Sequence, residues 1–456
     1  MNKIILLSLT VTFLAGCSLS PDYKRPNVST PTSWSETSQT SENIQVTQEW
    51  WKNFNSEPLN DYMQQALANN TDITAGLQTV AQSRAALKIS GADMLPSVNA
   101  SGAASRSKNN PATGKNTYIS SLNAGLNASY ELDLFGANRA NVEAAQANLM
   151  SSIYSQDALS LVVMADVAQS YFSLLNLRER LQIADRNLEN AKEILRIVQV
   201  RVNEGASSDL ELAQQKTSVA SSEASRASIV EQISNAENAL AVLLGEAPQN
   251  IEIAGVGLDN LIIPNIATDQ PSELLERRPD LRAAEADLMA AGADIGAARA
   301  AFYPSISLGL GNSLSLAGFG DPTSTVMSLA SSLSAPIFQG GRLEGGVEQA
   351  TARQLQLMEN YRGAVLSAYQ DVEDALAAVK SAQSREISLQ TAMEQSQKAY
   401  NLSKDRYDAG AIDFQTLLDT QNAQRNAEDN YTQAKLARLS AAISLFKALG
   451  GGWNSV

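Results

Sequence analysis

The chain has no histidine, a single cysteine and few aromatics, the last making up 5% of its 456 residues. Without histidine there is no Ser-His-Asp or Cys-His catalysis and no His-ligated zinc. Nor is there a side chain whose ordinary pKa suits general-base work near neutral pH. One thiol, Cys17, makes neither a disulfide framework nor a thiolate metal cluster. Nine scattered Met give little support for a soft-metal site. Positive charge is short as well: 34 Lys and Arg face 48 Asp and Glu. The resulting net charge of −14 argues against nucleic acid or an anionic membrane surface as a direct partner. So few aromatics are thin for a large globular core and ordinary for closely packed helices. Beyond the amino terminus no apolar run reaches the ~18 residues of a spanning helix, so any further membrane crossing must use strands.

What is present begins with that amino terminus. Lys3 precedes the apolar run Ile4 to Leu14, closed by Leu14-Ala15-Gly16-Cys17. A basic start, a short apolar stretch and a small-residue cleavage site read as a signal peptide, residues 1–16. The cysteine at the cut resembles a bacterial lipoprotein signal, in which Cys17 becomes the lipidated first residue; an ordinary signal peptide with an incidental cysteine is the alternative. Ser18 rather than Asp follows it, which in that resemblance implies release to the outer membrane. Residues 17–55 open Ser-, Thr- and Pro-rich, as expected of a tether.

The rest is written twice. Asp72-Ile73 matches Asp280-Leu281, and Leu95-Pro96-Ser97-Val98 matches Tyr303-Pro304-Ser305-Ile306, at a shift of 208. Val167 matches Val372, Arg201 matches Arg406, Gly205-Ala206 matches Gly410-Ala411 and Leu244-Gly245 matches Leu449-Gly450, at a shift of 205. This is a tandem duplication, 56–271 and 272–456. Each repeat predicts a helix (57–94 or 272–302), two strands (about 96–134 or 304–338), a long helix (137–204 or 347–409) and a return helix (206–244 or 411–449). An irregular equatorial segment, 245–271, follows the first return helix.

Ala137 to Glu204 contains neither Gly nor Pro and as one helix measures roughly 100 Å. Val167, Leu174, Leu181, Leu188, Leu195 and Val202 recur every seven residues, with Ser170, Leu177, Ala184, Ala191 and Val198 as the companion series. That is a coiled-coil seam. The second long helix carries Gly363 and a weaker series, Val372, Val379, Met393, Tyr400 and Tyr407. Strand alternation is clearest in Leu122, Ala124, Leu126, Ala128, Tyr130, Leu132 and Leu134 against Ser121, Asn123, Gly125, Asn127, Ser129, Glu131 and Asp133. Ile306 to Leu316 repeats it; Met327, Leu329, Leu333, Ala335 and Ile337 form a looser case, and 97–106 is the weakest. Such strands suit an outer-membrane barrel wall or a soluble two-faced sheet. In lipid, four strands cannot close, so copies must combine; two copies make eight strands whose interior side chains fill, and three make twelve around a polar lumen, the economical choice if the lumen conducts.

Several patterns fail as chemistry. Thr113-Gly114-Lys115-Asn116 lacks the leading Gly and the trailing Ser/Thr of a phosphate loop. Glu131 and Asp133 share a strand face but have nothing nearby to separate their pKa values. Arg277-Arg278-Pro279-Asp280 sits where a helix begins. The chain holds no catalytic constellation.

Taken in order, the motifs resemble the TolC-like outer-membrane factors, in particular the lipidated branch serving resistance-nodulation-division multidrug pumps. They are Pro21-Asp22-Tyr23-Lys24-Arg25-Pro26, Trp50-Trp51 with Phe54, Ala66-Leu67-Ala68-Asn69-Asn70, Arg277 to Glu285, and Leu449-Gly450-Gly451-Gly452-Trp453. The resemblance implies a mostly α, tandem-duplicated protomer. Three such protomers would form a homotrimer with a 12-stranded outer-membrane β-barrel on a long periplasmic α-helical barrel. It implies no enzymatic activity and no cofactor beyond the lipid on Cys17. Its partners would be a periplasmic adaptor, an inner-membrane pump and outer-membrane lipid. Arg201, Gly205 and Ala206, with Arg406, Gly410 and Ala411, match the hairpin tips where the adaptor meets the tunnel. Asp419 matches the acidic position that narrows the tunnel mouth, and Glu211 a tip acidic position in the other hairpin. Some relatives place Arg one turn after the constricting acid, where this chain has Asn422. The expected function is the exit duct of an efflux pump for drugs and other small amphipathic compounds. Ducts for type I protein secretion or metal ions, and a structural coiled-coil tether, remain as alternatives.

Overall fold

A computed structural model of the chain describes residues 19–35, 47–255, 257–266, 270–317 and 322–451. The signal segment, the lipidation candidate Cys17 and the terminal Gly452-Trp453 lie outside the described residues. In chain order the regular elements are α1 (Glu57–Asn69), α2 (Thr71–Ala92), β1 (Ser97–Asn109), β2 (Thr117–Leu132), α3 (Ala137–Asn203) and α4 (Asp209–Leu243). After the irregular segment come α5 (Leu274–Arg277), α6 (Pro279–Ala300), β3 (Ser305–Ala317), β4 (Pro322–Ser334), α7 (Arg342–Asp408) and α8 (Phe414–Ala448). The duplication survives element by element: α3 and α7 each have 67 residues, α4 and α8 each 35, α2 and α6 each 22.

The long helix follows its heptads. Val167, Leu174, Leu188, Ala191 and Val198 are buried along α3. One stretch of α3 is apolar enough to pass as a spanning helix by composition, contrary to the expectation of none. Just over half of that stretch is buried within the protein, Val163, Val167, Phe172 and Leu174 included, while Val162 is exposed.

Five expectations are corrected. The single helices 57–94 and 272–302 are each broken. In the first, Asn70 ends α1 and caps α2, its Oδ1 accepting from the amides of Asp72 (2.9 Å) and Ile73 (3.1 Å). In the second, Pro279 cannot continue α5 and instead opens α6. The second long helix begins at Arg342 rather than 347, running through Gly345 and Gly346. β4 ends at Ser334, leaving Ala335 and Ile337 beyond it. Asp133 is not a strand-face residue: it lies past β2 and caps α3, accepting from the amides of Asn138 (3.2 Å) and Arg139 (2.9 Å).

The described residues fall into two compact units. One is drawn from the described residues within 19–28, 78–154 and 282–364, the other from those within 29–77, 155–281 and 365–451. They do not follow the repeats, because each repeat packs sideways on its twin and contributes to both. The first unit holds the antiparallel sheet, in order β1-β2-β3-β4. Its register keeps most of the alternation, with Asn312 opposite Leu126 and Ser331 opposite Leu308 as polar interruptions of the apolar side. Leu122 faces Leu316, Ala128 faces Leu310 and Leu132 faces Ile306 on the apolar side, while Asn123 faces Ser315 and Glu131 faces Ser307 on the other. Serine pairs Ser97–Ser129, Ser105–Ser121 and Ser307–Ser332 tie strands across the polar face at 2.7–2.8 Å. β1 and β4 are the open edges of this sheet. The turn 110–116 between β1 and β2 holds the failed phosphate-loop motif.

The second unit has an aromatic core where the 3-10 turn Trp50–Phe54 meets the helices. Trp50 stacks on Phe446 at 5.2 Å and Phe54 meets Phe172 edge-on at 5.1 Å, all four fully buried. The irregular segment is pinned here as well. Arg178 Nη1 donates to the carbonyls of Ile253 (2.8 Å) and Gly255 (2.5 Å). Lys435 bridges Glu179 (2.7 Å) and Asp259 (2.6 Å). Burial opposes the Lys435 charge, but those two carboxylates outweigh it and hold its pKa above the ordinary value. Residues expected to be a loose tether are likewise held: Trp34 is buried against Tyr369 at 6.1 Å, and Ser35 donates to Glu373.

Candidate functional site at the hairpin tips

Both long helices end in the same way, and sequence dictates it. Gly205 and Gly410 take positive φ, 71° and 73°, the left-handed conformation only glycine enters freely. The amide of Gly205 then donates to Val202 O (3.0 Å) and that of Ala206 to Arg201 O (2.7 Å). At the other tip Gly410 donates to Tyr407 O (3.0 Å) and Ala411 to Arg406 O (2.8 Å). These are paired Schellman caps. The return helices restart on Ser208 and Asp413, whose side chains accept from Glu211 N (3.3 Å) and Thr416 N (2.8 Å). Both glycines face open space: a Cβ at either would meet nothing within 4 Å.

The two tips share one apolar core. Ile194, Val198, Tyr400, Tyr407, Phe414, Leu417 and Leu418 are buried together, with Val202, Leu212 and Ile412 packed on them. Arg201 crosses between the tips, its guanidinium 4.6 Å from the centre of the Tyr407 ring and donating to Asp408 O at 3.5 Å. Burial pushes the Tyr407 hydroxyl above its ordinary pKa in spite of that cation. Arg406, its counterpart in the second repeat, is exposed. The expected tip residues are therefore brought together, with Arg201 partly spent on holding the tips to each other.

Asp419 lies one turn into α8, exposed, and accepts a 2.8 Å hydrogen bond from Gln415. Glu211 turns back on its own loop, where Ser207 donates to it. Among the described residues no hydrogen bond joins these two acids. Sequence reading placed Tyr400 and Tyr407 in a heptad but not in a shared tip core, and it missed Arg425. That guanidinium donates to Ser222 (2.8 Å) and Asn422 and has no carboxylate among its hydrogen-bond partners; burial lowers its pKa. An arginine amid α8's small and amide residues, with Asn422 three positions earlier, was the available signal. Above the tip core a polar seam continues. Asn176 Nδ2 donates to Thr432 O (2.7 Å), Arg180 pairs with Asp429 (2.5 Å) and Gln424 donates to Gln397 (2.9 Å).

A duplicated protomer that supplies two helical hairpins and four strands with open edges defines a channel-forming outer-membrane protein. Residues 62–246 and 270–451 match the model of the outer membrane efflux protein family, and the chain belongs to that family. It is 37% identical to the pyoverdine export outer membrane protein OpmQ of Pseudomonas aeruginosa, over 100% of this chain and 98% of the relative. It is 32% identical to the cation efflux system protein CusC of Escherichia coli K12, over 96% of this chain and 97% of that protein. The solved outer-membrane channel OprN superposes with a TM-score of 0.88 at 28% identity, covering 96% of this chain and all of that one. The fold is thus the tandem-repeat helical tunnel with a barrel portion. The protein is an outer-membrane efflux channel, in a family of channels rather than enzymes.

Proposed function

We propose that three copies close one barrel of twelve strands, and that the resulting duct carries small amphipathic compounds passed to it by a periplasmic adaptor and an inner-membrane pump. The open edges of β1 and β4 support the assembly, since unpaired strand edges are not tolerated in lipid. The relative at 37% identity is named for the export of pyoverdine, which supports an efflux role. The observation that carries the docking assignment is the pair of tips. They are joined in one core, capped by glycines that face open space, and they present Arg406, Ala206 and Ala411 outward. Three exposed Asp419 carboxylates converging at the mouth would repel one another and hold cations there, narrowing the duct electrostatically. The amino-terminal lipid on Cys17 would add an anchor to the barrel, and a triacylated mass on the amino-terminal peptide tests it.

Docking is tested in cells lacking their own exit duct but supplied with this chain, its adaptor and its pump. Gly205→Trp and Gly410→Trp should each abolish drug resistance while the assembled protein still inserts. Unchanged resistance with both variants removes the tips from the adaptor contact.

A further inference from the structure

The first described residues are laid along α6 in a fixed order. Arg25 forms a two-pronged ion pair with Glu285, 2.8 Å at each prong, and Tyr23 donates to the same carboxylate at 2.9 Å. Glu285 is only 7% exposed, so this is a built attachment. Burial, followed by the Glu285 hydrogen bond, raises the Tyr23 pKa and keeps the phenol a donor. Nearer the helix end, Gly296 admits the backbone of Ser20, whose Cα and N would lie 2.9 Å from any Cβ at 296. Arg299 then donates to Leu19 O at 3.2 Å.

The two lengths agree. From Glu285 to Arg299 the helix rises about 21 Å. From Arg25 to Leu19 an extended chain covers about 20 Å. Strap and helix therefore run in step toward β3. Leu19 itself lies at the junction between α6 and β3, and a residue two positions before it is at most about 7 Å away along the chain.

At that junction lies a groove of about 480 Å³ lined by Leu19, Arg299, Phe302, Tyr303, Glu344 and Val347. Phe302 and Tyr303 are 41% and 44% exposed, with Phe135 stacked on Tyr303 at 4.6 Å. At the same end of the strands Leu95, Ile337 and Phe338 are exposed, as in the apolar and aromatic girdle of a membrane interface. We propose that this groove seats an acyl chain of the lipid carried by Cys17, so that strap and groove together fix where the anchor enters the membrane. The inference rests on the lipidation of Cys17 proposed above.

The test uses full-length protein in its own outer membrane. Cells are grown on a diazirine-bearing fatty acid, irradiated, and the digested protein is analysed by mass. We expect the amino-terminal lipopeptide joined to a peptide containing Phe302–Tyr303 or Val347. In Gly296→Leu, whose side chain would displace Ser20, that cross-link should be lost while the triacyl mass remains. A triacylated amino terminus linked only elsewhere or only to phospholipid overturns the groove and leaves lipidation standing. So does a labelled phospholipid attached at Phe302 in its place, or a cross-link undiminished in Gly296→Leu. An amino terminus without lipid overturns both.

Discussion

The two repeats solve the same joint with different residues. In the first, Asn70 sits between α1 and α2 and donates to Leu243 O at 2.8 Å, closing an orphan carbonyl at the end of α4. In the second, Arg278 occupies the matching position and donates to Ala448 O at 3.3 Å, the carbonyl equivalent to that of Leu243. The neighbouring glycines follow suit. A Cβ on Gly245 would lie 2.3 Å from Asn69 O, whereas one on Gly450 would lie 2.9 Å from Arg277 O. The first joint is a tight backbone contact sealed by a short amide. The second is looser and is spanned by a long cation that also pairs with Asp280 and Asp371, 2.8 Å each. Burial works against the Arg278 charge, but the bonds from those carboxylates prevail and raise its pKa. A duplicated backbone position thus keeps its task, closing the helix end, while its chemistry drifts.

Breaking the tighter contact should have the largest effect. Gly245→Ala meets both a backbone oxygen and a positive φ, 75°, and should cost about 3 kcal/mol, with Gly450→Ala costing less. Urea-unfolding midpoints of the detergent-solubilised protein rank the two. Equal losses would mean that the joints are alike.

Next come the sealing residues. Arg278→Ala strands two carboxylates and a carbonyl, and should cost about 2 kcal/mol after allowing for the half-exposed partners. Asn70→Ala loses a cap and the Leu243 bond, about 1.5 kcal/mol. Salt separates them: 1 M NaCl should shrink the Arg278 effect and leave the Asn70 effect intact.

Much of this was legible in the residues. The repeats, the long helices and the strand alternation are periodic signals, and they fixed the element order. The joints were not legible, because Asn70 and Arg278 do not look alike and each acts through a carbonyl more than 150 residues away. The amino-terminal strap escaped for a related reason. Its composition reads as linker, and only the position of Glu285 shows what Tyr23 and Arg25 are for. At the tips the glycines were readable as turn chemistry. The shared core was not, since it joins two hairpins far apart in sequence.

The smallest effect distinguishes the two tips. Asp413 is held below the ordinary carboxylate pKa by the hydroxyl and amide of Thr416, while the Ser208 cap does not titrate. A depressed pKa contributes stability above the unfolded value near 4 and loses it as pH falls through the folded value. Acidification from pH 6 to pH 3 should therefore lower hydrogen-exchange protection at Thr416 more than at Glu211. Equal loss at both would contradict the capping difference.

The reading of the duct itself turns on Asp419. Reversal potentials across a planar bilayer holding the assembled protein, under a tenfold salt gradient, measure selectivity directly. We expect wild type to favour cations and to be blocked by a trivalent cation from the tip side. Asp419→Ala should shift the reversal potential toward zero and weaken the block. Identical selectivity and block in the two proteins would contradict a carboxylate mouth and place the constriction elsewhere in the tunnel.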